Sequence, residues 1–173
     1  MIKTWSKLDS KRRCHGIGAV TVGSDPKSDP EPRYYITMSP TKEAVSTQNA
    51  PAPLPQFSQA VKYNGMVYCS GSIGIDLATK ALAKGGVQPE TRAAIKNLSA
   101  VLKAAGSDLS NVVKVNVFLT TMDDFVPMNQ VYDEFFGSIS PKPCRTCVAV
   151  HQLPFGAKME IECTALVPPS SKL

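Results

Sequence analysis

The sequence lacks two features that would place it in or beyond a membrane. No stretch approaches the roughly 18–20 consecutive apolar residues that a membrane-spanning helix needs, so a membrane protein is not expected. The first residues also lack the apolar segment of a secretory signal, and the five cysteines are an odd number. A disulfide-stapled secreted domain is therefore not expected, and a reducing compartment is favoured.

A dense basic surface is also missing. The net charge is +5, and residues 1–37 hold seven Lys or Arg against four Asp or Glu, which leaves twelve against ten for the rest. A nucleic-acid-binding surface needs clustered cations with interleaved aromatic side chains, and this nearly balanced body does not supply them. A nucleic-acid partner is therefore not expected.

The composition of the chain changes near residue 40. Residues 1–40 show no sustained periodicity, and 25–32 is a segment of prolines and charges, which predicts a disordered or targeting extension. Ile2, Trp5 and Leu8 stand at helical spacing among lysines, as in a mitochondrial transit peptide. Alternatively, Met38 begins a shorter cytosolic form. The expected compartment is therefore the mitochondrial matrix or the cytoplasm, and residues 41–173 form the one folded domain.

Strands and helices alternate from residue 43 onward. Asn64-Gly65 predicts a hairpin turn, 71–86 reads as a loop, and Asp123 is a good helix N-cap. Gly106 and Gly137 end the two helices. The predicted strands are 44–47, 57–63, 66–70, 111–120, 145–151 and 158–167, and the predicted helices are 89–105 and 123–136. This order predicts an α+β fold with a mixed sheet and both helices packed on one face.

A C-x-x-C motif, Cys144 to Cys147, opens the strand 145–151. Residues three apart in a strand point to opposite faces, so these thiols are not expected to share a metal or a relaxed disulfide. A thioredoxin-like site is also not expected, because that motif needs a following helix to lower the thiol pKa. No metal site is predicted.

Alternation assigns the other side chains of the last two strands. It places Thr146, Val148 and Val150 in the core and Arg145, Cys147, Ala149 and His151 on the opposite sheet face. In 158–167 it sends Met159, Ile161 and Cys163 to the core and Glu160 and Glu162 away from it. Pairing the two strands as a hairpin around 154–155 places His151 opposite Lys158 and Ala149 opposite Glu160. Arg145 then lies four residues further along, about 13 Å from Glu160, on the same face. An arginine and carboxylates on a non-core face must meet solvent, each other or a ligand.

These residues carry a family resemblance over about residues 43–167. The segments that carry it are 49–52, 58–60, Ser70-Gly71-Ser72-Ile73-Gly74, 111–114, Asp124-Phe125 through Asn129 and Tyr132, 144–148, and Glu160-Ile161-Glu162. Their order resembles the Rid/YjgF family, the reactive intermediate deaminases.

The resemblance implies a homotrimer, its sheets forming a central barrel, with clefts between subunits. It implies hydrolysis of 2-imino and 2-enamino acids to 2-oxo acids and ammonia, without a metal or organic cofactor. Arg145 then matches the arginine that holds the substrate carboxylate, and Glu160 the acid beside the attacking water. Cys147, Asn129, Ser70 and Gly71 match pocket positions. Phe57 stands where the family usually has a tyrosine, and Ser72 where it usually has a glutamine.

Other readings of the same residues stay open. Arg145 can close an interfacial salt bridge with Glu160 or Glu162, Cys147 can be a small buried hydrophobe, and Asn129 a helix-face residue. His151 has no identified partner. At the level of function, the alternatives are an endoribonuclease or translation inhibitor, and a trimeric binding protein without chemistry.

Overall fold

The computed structural model describes residues 21–22, 34–35 and 41–169. Within residues 1–40 it describes one antiparallel pair of short strands, β1 (Thr21–Val22) and β2 (Tyr34–Tyr35). The helical spacing near the start and the proline-rich segment predicted for the extension lie outside the described residues.

Residues 41–169 form a mixed sheet with two helices on one face, as the sequence predicts. The helices are α1 (Val87–Ala104) and α2 (Phe125–Phe136). The strands are β3 (Glu43–Val45), β4 (Ala60–Tyr63), β5 (Met66–Cys69), β6 (Ser72–Ile73), β7 (Ile75–Asp76), β8 (Ala81–Leu82), β9 (Val112–Leu119), β10 (Cys144–Ala149) and β11 (Met159–Leu166). The main sheet runs β10-β9-β11-β5-β4-β3, and β6 pairs with β11. The prediction of a plain loop over 71–86 is wrong, because β6, β7 and β8 lie within it.

Local sequence signals place the first hairpin and helix α1. Asn64 and Gly65 both adopt positive φ, 50° and 75°, which is the geometry of a type I′ turn between β4 and β5. Helix α1 buries Ile95, Leu98 and Leu102 almost completely and is followed by Gly106 at φ 82°. The turn, the buried face of α1 and the glycine that follows this helix are thus as the sequence predicts.

Helix α2 begins two residues later than predicted. Thr121 caps a 3-10 turn at Met122–Asp124, its Oγ1 accepting from the Asp123 backbone N–H at 3.2 Å. Asp123 is therefore inside the turn rather than its N-cap. Gly137 follows the last helical residue, as expected.

The strand pairing differs from the predicted hairpin at the C-terminal end. β10 pairs in parallel with β9, and β11 pairs antiparallel with the other edge of β9, so β9 separates the two strands. The parallel pair is possible because α2 forms the crossover between β9 and β10. The predicted pairings of His151 with Lys158 and of Ala149 with Glu160 are therefore wrong.

The predicted faces of β10 are also inverted. Arg145 pairs with Val115 and Cys147 with Val117, and both valines are fully buried under the helices. Paired residues on adjacent strands point to the same side, so Arg145 and Cys147 face the helices, while Thr146 and Val148 are exposed on the other face. The alternation was correct, but the assumption that valine marks the core side was not.

The sheet face away from the helices, here called the open face, is partly apolar. Tyr68, Val148 and Leu166 lie on it with 40–50% of their surface exposed, namely 47%, 42% and 45%. Glu160 and Glu162 lie on the same face, as predicted, since Met159, Ile161 and Cys163 are buried on the other. Within the described ranges no helix is both long and apolar enough to cross a bilayer.

Candidate active site

Arg145 lies partly buried between β10 and α2 and is held there by three side chains. Its Nη1 donates to Asn129 Oδ1 at 2.7 Å. Its guanidinium carbon lies 4.7 Å from the ring centre of Tyr132 and 5.7 Å from that of Phe125. Both distances are within the range of a cation–π contact. The guanidinium is thus fixed by α2 rather than extended into solvent.

No carboxylate neutralises this guanidinium among the described residues. Their ion pairs within 4.0 Å join Lys62 to Glu43 and Arg92 to Glu134. A guanidinium has five N–H donors, and the bond to Asn129 uses one. The interpretation of Arg145 as half of a salt bridge with Glu160 or Glu162 is therefore not supported within one chain, and the group retains donors for an anion.

Cys147 lies on the same sheet face as Arg145, two residues along β10. It is partly buried and packs against the core. Burial raises the pKa of its thiol, and the nearby Arg145 charge opposes that shift. A raised pKa keeps the thiol protonated at neutral pH, so Cys147 is suited to lining a pocket and not to nucleophilic attack.

Glu160 lies on the open face, against the segment that joins β5 to β6. A Cβ added at Gly71 would overlap Glu160 Oε1, so only glycine leaves room for the carboxylate in this position. Burial raises the pKa of Glu160, and the charge of Glu162 raises it further. Glu162 itself accepts a hydrogen bond from Asn116 Nδ2 at 2.8 Å. Its raised pKa makes Glu160 a stronger base than an ordinary glutamate, which suits it to accept a proton.

A groove of about 1250 Å³ contains Glu160 and three other predicted site residues, Phe57, Ser70 and Gly71. Ser70 donates its hydroxyl proton to the Ser58 carbonyl at 2.7 Å, so this hydroxyl fixes the groove wall. Phe57 is 47% exposed and presents a ring without a hydroxyl. The groove wall around Glu160 is mostly apolar.

The sheet separates the two groups of predicted site residues. Arg145, Cys147 and Asn129 lie on the helix side, whereas Glu160, Gly71, Ser70 and Phe57 line the groove. The β9 partners of Arg145 and Glu160, Val115 and Phe118, are three residues apart, and β10 and β11 flank β9. Standard strand dimensions then put the Cα atoms of Arg145 and Glu160 about 14 Å apart. The prediction that they share a face is wrong for one chain.

Sequence reasoning identified Asn129 as a site residue but missed the two aromatic rings that hold Arg145. Tyr132 was noted only as part of a motif, and Phe125 only as the residue after Asp124. A usable signal was the spacing of Phe125, Asn129, Tyr132 and Phe136, which recurs every three to four residues and so marks one face of α2. This helix face combines aromatic rings and an amide, and it precedes the strand that carries Arg145.

These features define a small α+β protein that presents an arginine and a glutamate on opposite faces of one sheet. The model of the family described as Endoribonuclease L-PSP matches residues 47–167. The chain therefore belongs to that family, the Rid/YjgF family.

Three similar proteins illustrate the family. The Schizosaccharomyces pombe mitochondrial protein mmf1 is 44% identical over 140 residues, which is 79% of this chain and 83% of that protein. The mouse 2-iminobutanoate/2-iminopropanoate deaminase is 42% identical over 132 residues, or 76% and 96% of the two chains. The crystal structure of a Thermotoga maritima putative endoribonuclease is 41% identical with a TM-score of 0.70, covering 75% of this chain and 100% of that one.

Proposed function

We propose that the chain hydrolyses reactive 2-imino and 2-enamino acids, such as 2-aminoacrylate, 2-iminopropanoate and 2-iminobutanoate, to 2-oxo acids and ammonia. The observation that carries this proposal is Arg145, a partly buried guanidinium held by Asn129 and two rings with no carboxylate partner among the described residues. Similar proteins named for this activity support it. The biological role would be to remove by-products of pyridoxal-phosphate enzymes before they cause damage.

In this proposal Arg145 binds the substrate carboxylate. A planar guanidinium donates two parallel hydrogen bonds to a carboxylate, which fixes both the position and the plane of the attached C2 carbon. The contact with the Tyr132 ring uses no N–H donor, so the donors that Asn129 does not engage remain for this task. Binding through the carboxylate orients the imine carbon for attack.

Glu160 in turn handles the water and the protons. An enamine first takes a proton at C3 and becomes the imine. Water then adds to C2 of the protonated imine while Glu160 accepts its proton. Glu160 returns that proton to the nitrogen of the carbinolamine, and as the C2–N bond breaks the C2 hydroxyl loses its proton to Glu160, forming C2=O and releasing ammonia. The raised pKa of Glu160 suits it both to accept and to return that proton. An iminium carbon is already electrophilic, so the scheme calls for no metal or organic cofactor.

The proposed site requires more than one copy of the chain. Arg145 and Glu160 lie on opposite sides of the sheet, about 14 Å apart, too far to act on one small imino acid. A homotrimer in which Arg145 of one subunit faces the groove of its neighbour brings them to one cleft. The exposed Tyr68, Val148 and Leu166 support burial of the open face in such an assembly.

The proposed compartment is the mitochondrial matrix or the cytoplasm. The basic residues near the N-terminus and a similar protein with a mitochondrial name support the mitochondrial matrix, and a start at Met38 would give a cytoplasmic form. Residues 1–40 are proposed as the extension and residues 41–173 as the deaminase domain.

The test compares Arg145→Ala, Arg145→Lys and Cys147→Ala with the parent. Enzymatically generated 2-aminoacrylate is the substrate, and 2-oxo acid is measured above the spontaneous background. Loss of a charge-assisted bidentate contact costs about 2 to 4 kcal/mol, or about 30- to 1000-fold in kcat/KM. We expect both Arg145 variants to lose that much, because an ammonium cannot replace the planar fork. Cys147→Ala should keep a measurable fraction.

Light scattering on each variant separates loss of chemistry from loss of assembly. An Arg145→Ala protein that hydrolyses the imine as fast as the parent would refute the proposal. RNA cleavage is measured on the same preparations, because the family description names an endoribonuclease. Cleavage without imine hydrolysis would assign the site to that alternative.

A further inference from the structure

One face of α2 carries a continuous stack that runs from the core to the guanidinium of Arg145. Phe136 is fully buried, and its ring stacks on Tyr132 with centroids 4.4 Å apart and planes inclined by 13°. Tyr132 in turn lies 4.7 Å from the Arg145 guanidinium carbon. The two rings are four residues apart, so the helix itself sets their spacing. The aromatic side chains beneath Arg145 are thus anchored in the buried core.

The position of Asn129 complements this stack. It lies three residues before Tyr132 on the same helix face and accepts the Nη1 proton of Arg145 at 2.7 Å. The hydrogen bond controls rotation of the guanidinium in its own plane, and the Tyr132 ring controls the tilt of that plane. Phe125, at 5.7 Å, touches the group less closely. Without the ring, an arginine side chain retains several rotatable bonds and would lose its preferred orientation.

We propose that Tyr132 is a positioning residue for the bound carboxylate, acting through its ring and not through its hydroxyl. The inference rests on the proposed function in that Arg145 is taken as the carboxylate-binding group. The Tyr132 ring, which packs on the buried Phe136, holds the guanidinium in the orientation that a two-point carboxylate contact needs.

The hydroxyl of Tyr132 has a different character. Burial raises the pKa of Tyr132 to about 12, so the phenol stays neutral and contributes no charge to the site. Tyr132 is only 7% exposed. The contribution to Arg145 is therefore made by the aromatic face, which phenylalanine also has and leucine lacks.

The test measures binding of a carboxylate probe, 2-oxobutanoate, by calorimetry, together with kcat and KM for imine hydrolysis. Three variants are compared with the parent: Tyr132→Leu, Tyr132→Phe and Phe136→Leu. A cation–π contact at a partly desolvated site is worth about 2- to 30-fold in affinity. We expect Tyr132→Leu to weaken 2-oxobutanoate binding by about 3- to 30-fold and to raise KM more than it lowers kcat. Tyr132→Phe should retain 2-oxobutanoate binding to within about twofold of the parent.

Phe136→Leu is the matched control for lost packing. It removes a ring of the same stack that is more deeply buried and does not touch Arg145, so it should lower the melting temperature at least as much as Tyr132→Leu. We expect its effect on 2-oxobutanoate binding to be smaller than that of Tyr132→Leu. Equal weakening by the two leucine variants would show that only stability is affected and would overturn the positioning role.

The two readouts distinguish failure of this inference from failure of the proposed function. Parent-like binding by Tyr132→Leu overturns the positioning role even if the parent hydrolyses imines. A parent that binds 2-oxobutanoate but releases no 2-oxo acid refutes the deaminase, and the ratio of dissociation constants still tests Tyr132. A parent that hydrolyses imines without binding the probe overturns the positioning role and leaves the deaminase standing.

Discussion

Substitution of Gly71 by alanine should remove activity without harming the fold. The added Cβ would stand 2.7 Å from Cδ and 3.1 Å from Cγ of Glu160 and would overlap Oε1. Gly71 has no positive φ, so alanine can adopt its backbone conformation. The obstructing atoms are the end of a flexible side chain, which swings aside by on the order of 1 Å. A displacement of that size at a reacting group costs about 100-fold in rate.

The free energy of unfolding should change little, by less than about 1 kcal/mol. The lower entropy of the unfolded chain with alanine offsets the rotation of one partly exposed carboxylate. Imine hydrolysis, by contrast, should fall about 100-fold in kcat/KM, which corresponds to about 2.7 kcal/mol of transition-state stabilisation. The assay is 2-oxo acid release from 2-aminoacrylate, with a thermal melt on the same sample.

A double-mutant cycle tests whether the alanine acts through Glu160. Glu160→Gln removes the proposed base and should cost about 100- to 10,000-fold. If Gly71 matters because it makes room for that carboxylate, Gly71→Ala combined with Glu160→Gln should be no slower than Glu160→Gln alone. Parent-like activity of Gly71→Ala, or a double variant showing the product of both losses, would refute this account of Glu160.

Three further predictions concern pH, assembly and the extension. Burial and the Glu162 charge raise the pKa of Glu160, so the acid limb of the kcat/KM pH profile should lie above the ordinary glutamate value of 4.5. Glu162→Gln should move this limb to lower pH, and a limb that does not move would exclude Glu160 as its source. The same shift stabilises the fold only at acid pH and is lost as pH rises through the raised pKa, so Glu160→Gln should melt no lower than the parent at neutral pH. The full chain should sediment as a trimer at micromolar concentration, and a stable monomer would contradict the shared site. A chain that starts at Met38 should keep the melting temperature and the deaminase activity, whereas a melting temperature lower by several degrees would mean that the extension docks on the body.

The features that could be predicted from the sequence are those set by neighbours along the chain. The β4–β5 turn follows from Asn64-Gly65, whose positive φ values few other residue pairs adopt readily. The buried face of α1 follows from the helical spacing of Ile95, Leu98 and Leu102. In both cases the determining interactions span a few residues.

The pairing of the last strands and the face of Arg145 were beyond such reasoning. The short segment between β10 and β11 resembles a hairpin connection, yet the chain there passes over the end of β9, with Val150 N bonded to Leu119 O at 2.7 Å and Thr120 N to Lys158 O at 3.1 Å. The face of Arg145 depends on aromatic rings of α2 that accept a cation, and a hydrophobic pattern ranks arginine only as polar. The identities of the site residues came from the family resemblance, while their arrangement needed coordinates.

The crossover from β9 through α2 to β10 gives the two halves of the proposed site different local stabilities. Arg145 and the side chains that hold it all lie within residues 112–149, and among the described strands β10 is an edge strand that pairs with β9 alone. Glu160 instead depends on Gly71, far away along the chain, and lies on a strand paired on both sides. Amide hydrogen exchange within β10 should therefore proceed through local opening, while β11 exchanges only when the sheet itself opens. A carboxylate bound by Arg145 would slow hydrogen exchange at the β10 amides first. The strand that carries Arg145 would then open independently of the more stable strand that carries Glu160.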